Sequence, residues 1–439
     1  MKDTDFISRG PRKTRGFEIV ASENLHLPGG AKAFQPYNNQ CHFYLDENQM
    51  KEIYDVITGD PSIQEVNMYR VKFIDLPAVE ILAKMIRETD TVRILNLGRN
   101  RLGWTEDWFA AVYDALKQNT SVEEVNLSWN GLHQYGPRPN NSKVLCELIA
   151  ENKTIKVLDI GAMGLRTSQY SMKDALVQNT TLKTFKYEST CESAIDDDAF
   201  IDMMDGLAEN QSITELDLCN SVYSERGAQI IADHLLSKNA RIEILSVGCH
   251  EYNEWYPTII LNGILNCKVS RLRELFLGDN EFTDHADDAV DLLSRILEKT
   301  DTIQDSAQSA QDTLRDSAQG LRDLSLSGLN LRDEAFAKIF KTDNNLTHLY
   351  AAGNQLGTES AKCIAALLRK NKIVELSVPC SIIDNDIFIE SVKENTSLID
   401  LYIKEDDAWF ITKYHYRPND DDHDRLKLSR ILNDLREKA

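Results

Sequence analysis

The chain has 439 residues, 42% hydrophobic and 27% charged, with a net charge of -21. This composition belongs to a folded protein rather than a disordered one, and the acidic balance speaks against nucleic acid, whose binding draws on clustered Lys and Arg. No apolar run approaches the roughly 18 residues of a membrane span, and eight scattered cysteines without a CxxC pair point to reduced thiols rather than disulfides or a zinc site.

The opening stretch, MKDTDFISRGPRKTRGFEIV, lacks the apolar core of a secretory signal, so a cytoplasmic location is expected. Residues 1–60 read as an N-terminal cap, with a helix over Leu45–Ile57. From residue 61 a phrase recurs, as in QNTSVEEVNLSWNGL from Gln118, ENKTIKVLDIGAMGL from Glu151 and ENQSITELDLCNS from Glu209. It places aliphatic residues at Ile63, Val92, Val122, Ile155, Leu182, Ile213, Ile242, Leu272, Leu321, Leu346, Ile373 and Leu398. The spacing is mostly about 25 to 33 residues, the size of a strand-plus-helix repeat, and residues 61–405 hold about twelve units.

Within a unit, alternating residues such as Leu95 and Leu97 predict a short strand with one face inward. The second half changes to helical period, as at Ala228, Ile231, Ala232 and Leu235. The Asn that opens each phrase, at Asn119, Asn152, Asn179, Asn210, Asn239 and Asn395, stands where the helix must stop. Its tolerance of left-handed backbone is the expected reason. The Asn-x-Ser/Thr sequons formed there are by-products of the repeat.

One spacing, from Leu272 to Leu321, is nearly doubled. Ile303, Ala307, Ala310, Leu314, Ala318 and Leu321 recur at helical steps within it, so residues of about 300–320 predict an amphipathic helical insertion. Its Ala-rich stripe suits either packing back on the helices or projecting toward a partner. Residues 406–439 read as a C-terminal helical cap, with Leu428, Ile431, Leu432 and Leu435 on one face.

The units resemble leucine-rich repeats of the ribonuclease-inhibitor-like class, on the evidence of VRILNLGRNRL from Val92 and LTHLYAAGNQLGTESAKCIAALLRKN from Leu346. Asn100, Asn130, Asn280 and Asn354 match the family's Asn, whereas Met163, Thr190, Ser221, His250, Leu329 and Ser381 depart from it. The resemblance implies an α/β solenoid, a right-handed horseshoe with a parallel concave sheet and convex helices. The family's Asn supports the turn after the strand by bonding backbone groups. Among such proteins the chain is most similar to repeat effectors that intracellular bacterial pathogens deliver into the host cytoplasm. Ran GTPase-activating proteins are the alternative from another class, although the sequence RLKLSRILNDLREKA lacks their acidic tail.

No sequence feature supports an enzyme. Nine histidines show no metal spacing, no phosphate-binding or nucleophile motif occurs, and no cofactor is implied. The candidate site is a surface. Glu65, Glu124, Glu215, Glu274, Asp323, Glu375 and Asp400 stand just before the second apolar residue of their strands, with Asn67, Asn96, Asn126, Asp159, Asp217, Phe276, Tyr350 and Tyr402 between the apolar pair. Tyr69 and Trp129 follow. Such an acidic face with aromatic anchors suits a basic protein partner, with Glu215, Asp217, Glu274 and an exposed Phe276 at its centre. An ordinary solvated strand face of an acidic protein has the same composition.

Overall fold

The structure, a computed structural model, describes residues 17–22, 27, 31–36, 44–131, 139–163, 170–188, 197–219, 224–238, 241–248, 256–267, 271–278, 286–307, 320–341, 344–382 and 385–404. They fall into two compact units, Met1–Asp217 and Leu218–Ala439.

The first unit contains β1 (Phe17–Ala21), β2 (Lys32–Pro36), β3 (Tyr44–Leu45), α1 (Glu47–Gly59), β4 (Ile63–Asn67), β5 (Lys72–Phe73), α2 (Leu76–Glu88), β6 (Ile94–Asn96), α3 (Glu106–Gln118), β7 (Glu124–Asn126), α4 (Pro139–Glu151), β8 (Val157–Asp159), α5 (Met172–Gln178), β9 (Thr184–Lys186), α6 (Asp197–Glu209) and β10 (Glu215–Asp217). Strand β1 pairs antiparallel with β2. From β2 onward the order is β4, β6, β7, β8, β9, β10, all parallel. The helix expected over Leu45–Ile57 is α1, which Asp46 and Gln49 start with a capping box.

The second unit runs α7 (Glu225–Ile230), β11 (Ile244–Ser246), α8 (Pro257–Asn266), β12 (Glu274–Phe276), α9 (Ala286–Ala307), β13 (Asp323–Ser325), α10 (Asp333–Ile339), β14 (His348–Tyr350), α11 (Thr358–Arg369), β15 (Glu375–Pro379), α12 (Asp386–Glu394) and β16 (Asp400–Lys404). Its strands β11 to β16 pair in parallel, each with the next. A π-helical turn, Ile231–Leu236, continues α7. Both units are α/β leucine-rich-repeat solenoids, since every full repeat sends one strand into a parallel sheet and returns through a helix. Helix α9 runs unbroken into the expected insertion as far as Ala307; residues 308–319 and 405–439, with the rest of the insertion and the C-terminal cap, lie outside the described residues.

The strands are short because only two inward residues are needed per repeat. In β6 the core takes Leu95, followed by Leu97, while Ile94 and Asn96 stay half-exposed on the opposite face. Helices close the core with an apolar stripe: α2 buries Ala78, Val79, Leu82, Ala83 and Ile86, and Asp75 caps its first turn by accepting from Ala78 N at 2.9 Å. All twelve predicted aliphatic positions are buried except Leu398, which is half-buried.

The asparagines at the helix stops act differently from expectation. Asn119, Asn179 and Asn395 have extended backbone, with φ of -69°, -72° and -75°, not the left-handed conformation. Their side chains do the work. Asn119 Oδ1 accepts from Ser121 N at 2.8 Å and Val122 N at 2.7 Å, while Nδ2 donates to Ile86 O of the preceding repeat at 2.6 Å. Asn152, Asn179, Asn210 and Asn395 repeat this with Leu116 O, Ile149 O, Leu176 O and Leu368 O. Each amide thus starts the turn into its own strand and satisfies a carbonyl at the end of the neighbouring helix. Asn239 lies outside the described residues.

Repeats are also joined at helix starts. Asp333 accepts from Gly357 N, Glu359 N and Ser360 N at 2.8, 3.0 and 2.7 Å, and so caps α11 from the repeat before it. Burial opposes its ionisation, but the hydrogen bonds from Ser360 and the backbone win and hold the carboxyl below its ordinary range.

Candidate functional site

The helix-free face of each sheet is written by the first and third residue of every short strand. Parallel pairing brings equivalent positions side by side at about 4.8 Å. In the first unit the third position reads Asn67, Asn96, Asn126, Asp159, Lys186, Asp217. In the second it reads Ser246, Phe276, Ser325, Tyr350, Ser377, Tyr402.

The first row is held from below. Oδ1 of Asn67, Asn96, Asn126 and Asp159 each accepts the backbone N–H two residues on, from Tyr69, Gly98, Ser128 and Gly161, at 2.9 to 3.0 Å. Burial pushes the Asp159 carboxyl up to about 6 against the opposing pull of the Gly161 N–H and Lys186. Lys186 stands between Asp159 and Asp217 in the register, so this stretch is not uniformly acidic. Sequence reasoning missed Lys186, although TFK occupies the same frame as VLD and ELD.

The second row is built otherwise. Ser246, Ser325 and Ser377 are 2%, 6% and 1% exposed, and Phe276 and Tyr350 only 8% each. Small and large residues alternate across neighbouring strands, and these five are nearly buried, so the large ones are packed among their neighbours rather than presented to solvent. Phe276 is therefore not the exposed anchor that its strand position implied. Tyr402, on the last described strand, remains 41% exposed. Burial pushes the Tyr350 hydroxyl up, helped by the charge and hydrogen bond of Glu375.

The acidic residues at the first strand position are partly engaged. Ser22 Oγ donates to Glu65 Oε2 at 2.7 Å, and Thr184 Oγ1 to Glu215 Oε2 at 2.9 Å. Asp323 is buried and meets His348 Nδ1 at 2.6 Å. Glu274, Asp323, His348, Glu375 and Asp400 follow one another across β12 to β16. Glu215 and Asp217 belong to the first unit, Glu274 and Phe276 to the second.

No family model matches the chain, and no curated protein does. Solved structures do. LegL7, a leucine-rich repeat-containing protein from Legionella pneumophila, is 18% identical, with 81% of this chain and 94% of that one covered and a TM-score of 0.46. The tropomodulin C-terminal domain of Caenorhabditis elegans is 17% identical over 36% of this chain and 90% of its own, at a TM-score of 0.26. Leiomodin-1 actin-binding site 2 is 16% identical over 38% of this chain and 76% of its own, at a TM-score of 0.24.

The turn after the strand follows the resemblance. Asn130 Oδ1 accepts from Asn100 N and Leu102 N at 3.1 Å, and its Nδ2 donates to Leu97 O and Leu127 O at 2.8 Å. Asn354 bonds Leu331 N, Leu326 O and Ala351 O in the same way. Asn100 Oδ1 accepts from Val71 N, but its Nδ2 is buried without a partner. Where the family Asn is missing, Met163 and Leu329 fill the position as core residues, and Ser381 Oγ donates to Leu356 O. Asn280, Thr190, Ser221 and His250 lie outside the described residues.

Just before Val71, Asn100 and Asn130, at equivalent points of successive repeats, stand Arg70, Arg99 and Trp129, all with left-handed backbone at φ 63°, 59° and 59°. They gather with Tyr69 at the strand ends. The Arg99 guanidinium lies 4.0 Å from the Trp129 ring centre and 6.0 Å from that of Tyr69, and Arg70 lies 5.5 Å from Tyr69. Sequence reasoning found the two aromatics and missed the arginines, which the frame LGRN against LSWN places in register.

Among the described residues no group of three or more His, Cys, Asp or Glu side chains is arranged to hold a metal ion, and no helix is long and apolar enough to cross a membrane. Cys146, Cys219, Cys267 and Cys363 are free thiols. Burial pushes Cys146 up to about 12, which keeps it an unreactive thiol.

Proposed function

We propose that the chain is a protein-interaction scaffold that takes a basic protein partner on the helix-free face of its strands. The observation that carries this is the in-register run Glu274, Asp323, His348, Glu375, Asp400 across β12 to β16. It lines up four carboxylates on a chain of net charge -21. Carboxylates at strand spacing match cationic side chains of a docked segment, and the surrounding field steers such a partner toward them. Tyr402, exposed beside Ser377, adds an amphipathic contact at the same end. Glu65, Glu124, Glu215 and Asp217 offer the same chemistry on the first unit.

Within this reading the repeats are of the ribonuclease-inhibitor-like class, and the protein works as an effector in a host cytoplasm. That extension is supported by repeat spacing and by the irregular units of the array.

The test is affinity capture from lysate at low salt with wild type and the double variant Glu375→Lys, Asp400→Lys. Asp400 is exposed, whereas Glu375 is half-buried and bonded to Tyr350, so the single variant Asp400→Lys and a melting curve of each protein separate lost binding from lost folding. The expected result is a basic partner retained by wild type, released as salt rises, and lost from the variant. Equal retention of the same partner by both proteins at low and high salt would sink the proposal.

A further inference from the structure

We propose that the strand ends of the first unit form a receptor for carboxylate side chains of an extended acidic peptide segment, with Arg99 as its cationic centre. This goes beyond the acidic-face reading and is independent of it, since it concerns other residues and the opposite charge.

The backbone comes first. Left-handed φ at a non-glycine residue is costly, yet Arg70, Arg99 and Trp129 all adopt it. Their N–H groups donate to Gly98 O, Ser128 O and Gly161 O of the next repeat at 2.8 to 2.9 Å, which fixes the conformation. Asn or Gly would sit there with less strain. Large cationic and aromatic side chains occupy these positions instead.

Those side chains are then arranged as a unit. Arg99 stacks on Trp129 and borders Tyr69. The Tyr69 ring lies over Gly98, where a Cβ would come within 2.9 Å of it, so a side chain at that position would lift the ring. Arg99 forms no ion pair among the described residues, and its Nε is buried without a hydrogen-bond partner. On a protein with 70 acidic residues against 49 basic ones, a guanidinium that meets rings rather than carboxylates is held for a ligand.

The neighbouring polar groups fit the same ligand. Asn96 and Asn126 use Oδ1 on their own backbone, so the NH2 is the group each amide has left to offer a ligand. The site therefore offers donors and ring faces, with the guanidinium matched in plane and geometry to a carboxylate. A Glu side chain satisfies both parts, its stem on the rings and its oxygens on Arg99. Nucleic acid would meet the same donors through its phosphates, so tighter binding of an oligonucleotide is the competing outcome of the test.

The test uses the full chain, a short end-blocked Glu/Ser peptide with a neutral fluorophore, and its Gln/Ser counterpart, read by anisotropy at low salt. Arg99→Asn removes the charge while suiting left-handed backbone, so its melting curve should match wild type. Saturable binding of the Glu/Ser peptide alone is expected, weakened about tenfold or more by Arg99→Asn and partly retained by Arg99→Lys. The proposal is overturned by absence of saturable Glu/Ser binding, by equal binding to Arg99→Asn, or by tighter binding of an oligothymidylate.

Discussion

The third strand position has two solutions in this molecule. Along β4 to β10 it holds Asn67, Asn96, Asn126, Asp159, Lys186 and Asp217, and the first four are tied to the backbone two residues on. Along β11 to β16 it alternates serines with rings, and the serines, Phe276 and Tyr350 are nearly buried. The first surface keeps polar groups at hand for a partner. The second has used most of its apolar area on itself, so a partner there meets the acidic row beside the rings more than the rings themselves. A repeat position thus fixes direction, while its neighbours on either side decide what is left to bind.

Removing a ring is the harshest way to break this contrast. Phe276→Ala should cost about 2–3 kcal/mol, because it leaves a void where a nearly buried ring stood. Urea unfolding would measure it, and a loss below about 1 kcal/mol would mean that the ring does not pack tightly there.

A smaller effect, of opposite sign, is expected in the first row. The Asp159 carboxyl is raised to about 6 in the folded state, so that state binds the proton more tightly than the unfolded chain. Stability then falls as pH rises from about 4 through 6, and the penalty is fully present above about 7. Asp159→Asn keeps an acceptor for Gly161 N and removes the penalty. It should stabilise by about 1–2 kcal/mol at pH 8, an advantage that disappears near pH 4. Thermal melts at the two pH values check it; equal gains at both would refute the assignment.

The mildest change sharpens the comparison. Asn96→Ala deletes one bond to Gly98 N on a half-exposed strand face and should cost no more than about 1 kcal/mol in denaturant melts. If it costs as much as losing the ring, the polar row is structural and not reserved for recognition.

Much of this fold was legible because a leucine-rich repeat restates itself. The period, the inward aliphatic residues and the alternation of strand and helix followed from spacing alone, and so did the importance of the Asn at each helix stop. Its mechanism did not. Asn allows left-handed backbone, but Asn119 uses its amide on the neighbouring repeat, and only the stacking of repeats supplies that carbonyl. Phe276 was misjudged for a similar reason: alternation gives the face of a residue, whereas burial depends on Ser246 and Ser325, which lie about 30 and 49 residues away in sequence. Lys186 and Arg99 were readable in the same frame. They are cations in rows whose other members are mostly acidic, amide or aromatic, so the overall acidity of the chain hides them.

Asp333 has a consequence for how the second unit comes apart. Helix α11 opens at Gly357, which has no side chain to cap it, and receives its cap from a carboxylate 24 residues earlier. A peptide of α11 alone would fray at its first turn, and so would α11 in a chain whose α10 has undocked. A helix that depends on its neighbour's first residue for its cap melts with that neighbour, which makes adjacent repeats a single cooperative step rather than two independent ones.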